Sequence, residues 1–144
     1  MKRITKSSEE TFDLGYRFGR TLGPGSVVAL VGELGAGKTI FTKGIAKALG
    51  IREYRYVNSP SFVLIKEYKS GRQPLYHFDL YRLKSQDALS TVDCEEYFYS
   101  KGVSVVEWAD RAPDILPEGH TLVKFRHLGK NKREIVFPAI TFLT

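Results

Sequence analysis

Cysteine occurs once in the 144 residues, at Cys94. An intrachain disulfide is therefore excluded, and the paired thiolates of a common structural zinc site are missing. Long hydrophobic runs are also missing, and no apolar stretch approaches the roughly 20 residues that a membrane-spanning helix needs. The first residues, Met1-Lys2-Arg3-Ile4-Thr5-Lys6, are basic but lead into Ser7-Ser8-Glu9-Glu10. Without an apolar core behind the basic residues, no secretory leader is expected. Low-complexity tracts and repeats at solenoid periods are absent. The 22 Lys and Arg residues, against 16 Asp and Glu, are spread along the chain rather than bunched. Most of that +6 net charge reads as solvated surface. These absences point to a cytoplasmic protein, with neither a membrane nor DNA expected as a partner.

What is present suits one globular domain over residues 1–144: hydrophobic residues make up 42% and charged residues 26%. A chain of this length buries a sizeable core without covalent staples. Ser7 and Glu10 stand at capping-box spacing ahead of a helix marked by Leu14, Phe18 and Leu22. Gly23-Pro24-Gly25 stops it. Val27-Val28-Ala29-Leu30-Val31 is short, continuous and rich in β-branched residues, the pattern of a strand buried on both faces. Phe41, Ile45 and Leu49 mark a second helix, with Gly50 placed to end it. Residues 61–68 and 74–79 flank Ser70-Gly71 and predict an antiparallel strand pair. Residues 85–99 predict one or two short helices with Cys94, Tyr97 and Phe98 facing inward. Val103–Val106 predicts another strand, and Thr121–His127 with Arg133–Pro138 a closing hairpin. The expected fold class is α/β: a P-loop NTPase-like mixed sheet flanked by helices, with antiparallel hairpins.

Between the buried strand and the second helix lies Gly32-Glu33-Leu34-Gly35-Ala36-Gly37-Lys38-Thr39, which meets the pattern G-x-x-x-x-G-K-[ST]. The chemistry demands this order. Glycines let the backbone curl with its N–H groups pointing inward, making an anion nest. The following helix adds free N–H groups and the positive end of its dipole. A lysine here reaches the β- and γ-phosphates of a nucleoside triphosphate, and the Thr39 hydroxyl suits Mg²⁺. The alternative, a glycine-rich turn that only looks like a cradle, does not account for a strand before it and a helix after it.

A phosphoryl-transfer site also needs a carboxylate. Glu107 ends an apolar run and so needs a partner, in the position of a Walker B acid. Asp79 ends the 74–79 run and reads equally as a catalytic acid or as a turn or helix cap. Ser59-Pro60-Ser61 reads as a proline-rigidified turn or as a switch that senses the γ-phosphate. His77 reads as a hydrogen-bonded structural histidine, and Trp108 as a packing residue able to report on the site.

Taken together, Ser8-x-x-Thr11, the 32–39 loop, Ser59-Pro60-Ser61-Phe62, His77-Phe78-Asp79-Leu80-Tyr81-Arg82-Leu83 and Val106-Glu107-Trp108-Ala109-Asp110 resemble the TsaE-type P-loop ATPases of bacterial tRNA threonylcarbamoyladenosine biosynthesis. The resemblance spans nearly the whole chain. The Asp-Leu-Tyr-Arg-Leu and Glu-Trp-Ala elements are far more specific than the loop, which many families share. The resemblance implies an ATP- and Mg²⁺-dependent ATPase that works with two partners, TsaB and TsaD. That pair transfers a threonylcarbamoyl group to adenosine 37 of tRNAs reading codons that begin with A. Contact with tRNA would be indirect, through the complex. It further implies that Gly35, Ala36, Gly37, Lys38, Thr39 and Ile40 hold the nucleotide, with Thr11 from the first helix and Arg133 from the last hairpin. Thr39 and Glu107 would hold the metal, Lys38, Asp79 and Glu107 would be catalytic, and Ser59, Pro60 and Ser61 would form the switch. One departure is Ser61, where the family usually has threonine; the hydroxyl is kept but the β-branched stiffness is lost.

Three other readings compete: a GTPase, a small P-loop kinase, and a nucleotide-dependent binding module whose slow hydrolysis only times an interaction, the last overlapping with the family resemblance. Asn131-Lys132-Arg133-Glu134 resembles a guanine-reading motif, but it ends in Glu and falls in a predicted hairpin turn. A small-molecule kinase needs an acceptor pocket and often an arginine-bearing lid. Arg52, Arg55 and Arg82 are available for one, in a chain short for both features.

Overall fold

Seven strands form one mixed sheet in the order β1-β7-β6-β2-β5-β4-β3. The computed structural model describes residues 1–33, 35–58, 65–81 and 94–138. The strands are β1 (Lys2–Thr5), β2 (Val27–Gly32), β3 (Ile65–Tyr68), β4 (Leu75–Asp79), β5 (Val103–Glu107), β6 (Thr121–Gly129) and β7 (Lys132–Val136). The helices are α1 (Ser8–Gly19), α2 (Lys38–Ala48) and the short α3 (Cys94–Phe98). The four central strands β6, β2, β5 and β4 run parallel. Antiparallel pairing extends the sheet on both sides, through β3 beside β4 and through β7 and β1 beside β6. The expected mixed α/β sheet is therefore what forms.

Local chemistry accounts for the elements around the glycine-rich loop. The Ser7 hydroxyl accepts the Glu10 N–H at 3.1 Å, and Glu10 Oε1 accepts the Lys6 N–H at 2.8 Å. This is a capping box whose return bond lands one residue early. At the other end of α2, Gly50 takes φ +81°. The Gly50 N–H bonds the Lys47 carbonyl and the Ile51 N–H bonds the Ala46 carbonyl. Those two bonds make a Schellman ending, closed by the buried Ile51. Along β2 the side chains alternate between two cores, as a doubly covered strand requires. Val28 and Leu30 join Phe18, Phe41 and Ile45 beneath α1 and α2. Val27 and Ala29 join Phe78, Phe98 and Val106 on the opposite face. Residues 61–64 of the expected 61–68 strand and 85–93 of the expected helices lie outside the described residues. Cys94 and Phe98 of α3 are buried as expected, with Tyr97 packed against them.

Two features escape the sequence reading. Lys2–Thr5 is an edge strand paired with β7. The second is the contact between the two long helices, which is made through glycines. A Cβ on Gly15 would strike the Phe41 backbone, and one on Gly44 would strike the Phe12 carbonyl and the Tyr16 nitrogen. Because the obstructing atoms are backbone, they cannot swing aside. Gly44→Ala is accordingly expected to destabilise the protein by about 2–3 kcal/mol, despite alanine's better helix propensity. Thermal unfolding followed by circular dichroism should report a fall in Tm of about 5–10 °C. An unchanged or raised Tm would mean that the helices separate freely.

Candidate active site

The loop leaves the C-terminal end of β2, whose neighbours β5 and β6 lie on either side, and enters α2 at Lys38. Ligands of open parallel sheets bind at this end of the strands. Gly35 and Gly37 take φ +79° and +98°, which side chains with a Cβ resist. Space lies open over Gly35, with no described residue within 4 Å of where a Cβ would stand. Gly37 is different. A Cβ there would come within 2.7 Å of Arg133 Cδ, 2.8 Å of Arg133 Nε and 3.4 Å of the Thr11 methyl. The expected residues Thr11, Gly37 and Arg133 are thus brought together from α1, the loop and β7.

Lys38 is 4% exposed. Its Nζ donates to the carbonyls of Gly32 (2.5 Å) and Glu33 (2.9 Å) and lies 4.0 Å from the centre of the Trp108 ring. Burial lowers its pKa below the ordinary lysine value, and the carboxylates of Glu107, Asp79, Asp110 and Glu33 partly offset that shift. Those carboxylates surround the lysine with negative charge.

Glu107, the last residue of β5, is 2% exposed and faces the loop. The Thr39 hydroxyl lies 3.2 and 3.3 Å from its two oxygens. Asp79 ends β4 directly across from Glu107 in the parallel register. Its Oδ1 accepts the Tyr81 N–H at 2.9 Å, so the turn-closing reading of Asp79 holds alongside its nearness to the loop. Trp108, the next residue after Glu107, takes the left-handed conformation at φ 58°. Its ring lies over Lys38 and is tilted 43° against that of Tyr81, with the ring centres 4.8 Å apart.

The remaining expected residues are placed as follows. Ala36 is buried beneath the loop and joins the core under α2. Ile40 lines a shallow depression with Ser8, Glu9, Phe12 and Asp13, beside the loop and the start of α1. The Thr11 hydroxyl is engaged, 2.7 Å from the Thr5 hydroxyl and 3.2 Å from the Ser7 carbonyl, so its methyl group is what faces Gly37. Arg133 bonds the Asn131 carbonyl through Nη1, while its buried Nε has no partner among the described residues. Ser59, Pro60 and Ser61 lie outside the described residues, as does Arg82. Asn131 sits in the β6–β7 turn, not after a buried strand.

The expected hydrogen-bonded histidine, His77, is found, but sequence reasoning did not name its partner, which makes it a participant in the site. His77 is fully buried, and its Nε2 lies 2.5 Å from Glu107 Oε2. The available signal was its spacing of two from Asp79, which puts both on one face of a strand.

The groups present fit a phosphate chain and a hard cation. An open loop of positive-φ glycines, a helix start, a lysine and an unpartnered arginine N–H supply anion donors. A hydroxyl and a carboxylate supply the oxygen ligands that magnesium takes from protein when phosphates provide others.

Comparison with known proteins gives consistent names. A family model described as "Threonylcarbamoyl adenosine biosynthesis protein TsaE" matches residues 5–135. A Bacillus subtilis protein named tRNA threonylcarbamoyladenosine biosynthesis protein TsaE is 43% identical over 140 residues, covering 97% of this chain and 86% of its own length. Its namesake from Treponema pallidum is 42% identical over 135 residues, covering 94% of this chain and 98% of its own length. The crystal structure of Bacillus subtilis YdiB superposes with a TM-score of 0.79 at 38% identity, covering 97% of this chain and 85% of that one.

Proposed function

Since the chain belongs to the TsaE family, we propose that it is an ATP-binding and ATP-hydrolysing subunit required for threonylcarbamoyladenosine formation at adenosine 37 of tRNA. It acts in the cytoplasm with TsaB and TsaD, and the transfer itself belongs to those partners. The observation that carries this reading is the Thr39–Glu107 pair beside the glycine-rich loop. A hydroxyl and a buried carboxylate in contact there are the groups that would hold a divalent cation, which would offset phosphate charge.

In this reading the N–H groups of residues 35–40 and the Lys38 ammonium take the phosphates. Arg133 Nε supplies another donor at Gly37. The depression at Ile40, Ser8 and Phe12 takes the base side of the nucleotide. Thr39 and Glu107 would hold Mg²⁺, which when bound neutralises charge on the phosphate oxygens. Asp79, opposite Glu107, orients a water molecule or accepts its proton. Lys38 has to exchange its bonds to the Gly32 and Glu33 carbonyls for bonds to phosphate. Trp108 stands over that lysine and registers the exchange.

The test is phosphate release by the purified protein, alone and with TsaB and TsaD, together with its affinity for that pair in ATP, ADP and no nucleotide. Slow hydrolysis alone is expected, altered by the partners. Nucleotide should change partner affinity by about fivefold or more, the low end of ordinary coupling between sites. Equal affinity in all three nucleotide conditions would remove the switching role. Transfer of phosphate to a small acceptor would replace this reading with a kinase.

A further inference from the structure

The geometry points to His77 as the residue that positions Glu107 for its cation. This inference rests on the nucleotide reading of the site and adds to it a group from a different strand.

His77 lies in the middle of β4, and its backbone pairs with Val105 of the parallel neighbour β5. Two residues further on, Asp79 pairs with Glu107. Side chains two apart on a strand share a face, so His77, Asp79, Val105 and Glu107 all project toward α2. The Glu107 side chain turns back along its strand and meets His77 Nε2 at 2.5 Å. Both side chains are cut off from solvent, at 0% and 2% exposure.

That contact assigns the proton. A carboxylate oxygen accepts, so the hydrogen is on Nε2. Nδ1, the other ring nitrogen, is buried with no partner among the described residues. The ring therefore makes one directed hydrogen bond, and that bond goes to Glu107. A histidine kept only to fill volume has no reason to bury a polar nitrogen without a partner, because an apolar side chain would fill the space at lower cost.

The consequence falls on the two oxygens of Glu107. Oε2 is held by His77, while the Thr39 hydroxyl lies between the two oxygens, 3.2 Å from Oε1 and 3.3 Å from Oε2. Pinning one oxygen fixes the carboxylate plane and leaves Oε1 directed at Thr39 and the loop. Without the His77 bond only the longer Thr39 contacts restrain the carboxylate's last torsion, and the geometry offered to a cation is loosened. Partners of metal ligands act in this way, and their removal typically weakens metal binding about 10–100-fold.

His77→Gln and His77→Met separate the hydrogen bond from the packing. Glutamine carries an N–H donor the same number of bonds from Cα as histidine Nε2. Methionine is unbranched and similar in length but donates nothing. The readout is affinity for the non-hydrolysable analogue AMP-PNP by calorimetry, in EDTA and in Mg²⁺, the ratio giving the metal's contribution. In His77→Met that ratio should fall about tenfold or more, with the affinity in EDTA unchanged. In His77→Gln it should return to within about threefold of the wild-type ratio. Packing alone moves neither ratio, so a wild-type ratio in His77→Met overturns the proposal, as does an equal loss in both variants.

A measurement on the unaltered protein covers the case in which a variant does not fold. The Nε2 proton of His77 should appear as a protected, strongly downfield resonance that shifts when Mg²⁺ is added to the AMP-PNP complex. No such shift overturns the proposal. Wild-type protein that binds no AMP-PNP fails the nucleotide reading and this one with it. Wild-type protein that binds it equally with and without Mg²⁺ fails this inference while the nucleotide site stands.

Discussion

Replacing Lys38 by alanine is expected to lower ATP turnover about 10²–10³-fold, the loss typical of removing one preorganised donor to developing charge. Lys38 begins α2 and is the cation at the centre of the loop, within the field of Glu107, Asp79, Asp110 and Glu33. Those acids repel an incoming phosphate chain, and Lys38 is the described group that opposes them from inside the loop. Its ammonium is bound to the Gly32 and Glu33 carbonyls and covered by the Trp108 ring. Alanine therefore removes the phosphate partner and also leaves two loop carbonyls without their donor. The second effect costs stability, about 1–3 kcal/mol. Lys38→Met loses the ammonium and its bonds to both carbonyls as alanine does, but keeps most of the apolar stem against Trp108, so comparing the two variants separates loss of the ammonium from loss of packing. Phosphate release and ADP affinity, measured on both variants, check the expectation. Turnover in both within about threefold of wild type, well short of the loss expected for a phosphate-binding lysine, would mean that the loop is not the phosphate cradle.

The parts of this molecule legible in its sequence are those decided by neighbours along the chain. Ser7 caps α1 because its hydroxyl needs only the N–H three residues on. Gly50 ends α2 because its positive φ is a local property. Val27–Val31 reads as a buried strand because both of its faces are apolar, and the cradle follows from residue types within eight positions. What the sequence hides depends on residues far apart. β1 carries Lys2 and Arg3 and has only Thr5 buried, so no apolar alternation betrays it. Its place comes from pairing with β7, some 130 residues away. Gly15 and Gly44 look like weak points in two helices until the helices are laid together. His77 reads as core because its partner Glu107 lies 30 residues later on the adjacent strand. The acids Asp79 and Glu107 could be named from strand ends, but only the β4–β5 register sets them side by side.

That register gives Glu107 two separable duties, structural and chemical, and the second large expected effect divides them. Glu107→Ala is expected to reduce Mg²⁺-dependent hydrolysis about 10²–10³-fold. Several kcal/mol of charge stabilisation are at stake, and each 1.36 kcal/mol is a factor of ten. It should also destabilise the protein, because the buried His77 N–H and the Thr39 hydroxyl both lose the carboxylate. An orphaned buried donor costs about 1–3 kcal/mol, which lowers Tm by several degrees in a chain of this size. Glu107→Gln should keep most of the stability and lose as much activity. Its carbonyl oxygen accepts the His77 N–H, and its amide turns toward Thr39, whose hydroxyl oxygen then accepts. The shape survives and the negative charge does not. ATP-analogue affinity in EDTA should therefore equal or exceed wild type in Glu107→Gln, because one charge that repels the phosphates is gone, while the gain on adding Mg²⁺ disappears. Thermal melts, hydrolysis rates and paired titrations with and without Mg²⁺ test all of this on two proteins. A Glu107→Gln variant that hydrolyses ATP at the wild-type rate would show that the carboxylate is there to hold β4, β5 and α2 together. The metal-binding oxygen would then have to come from Asp79, one strand away.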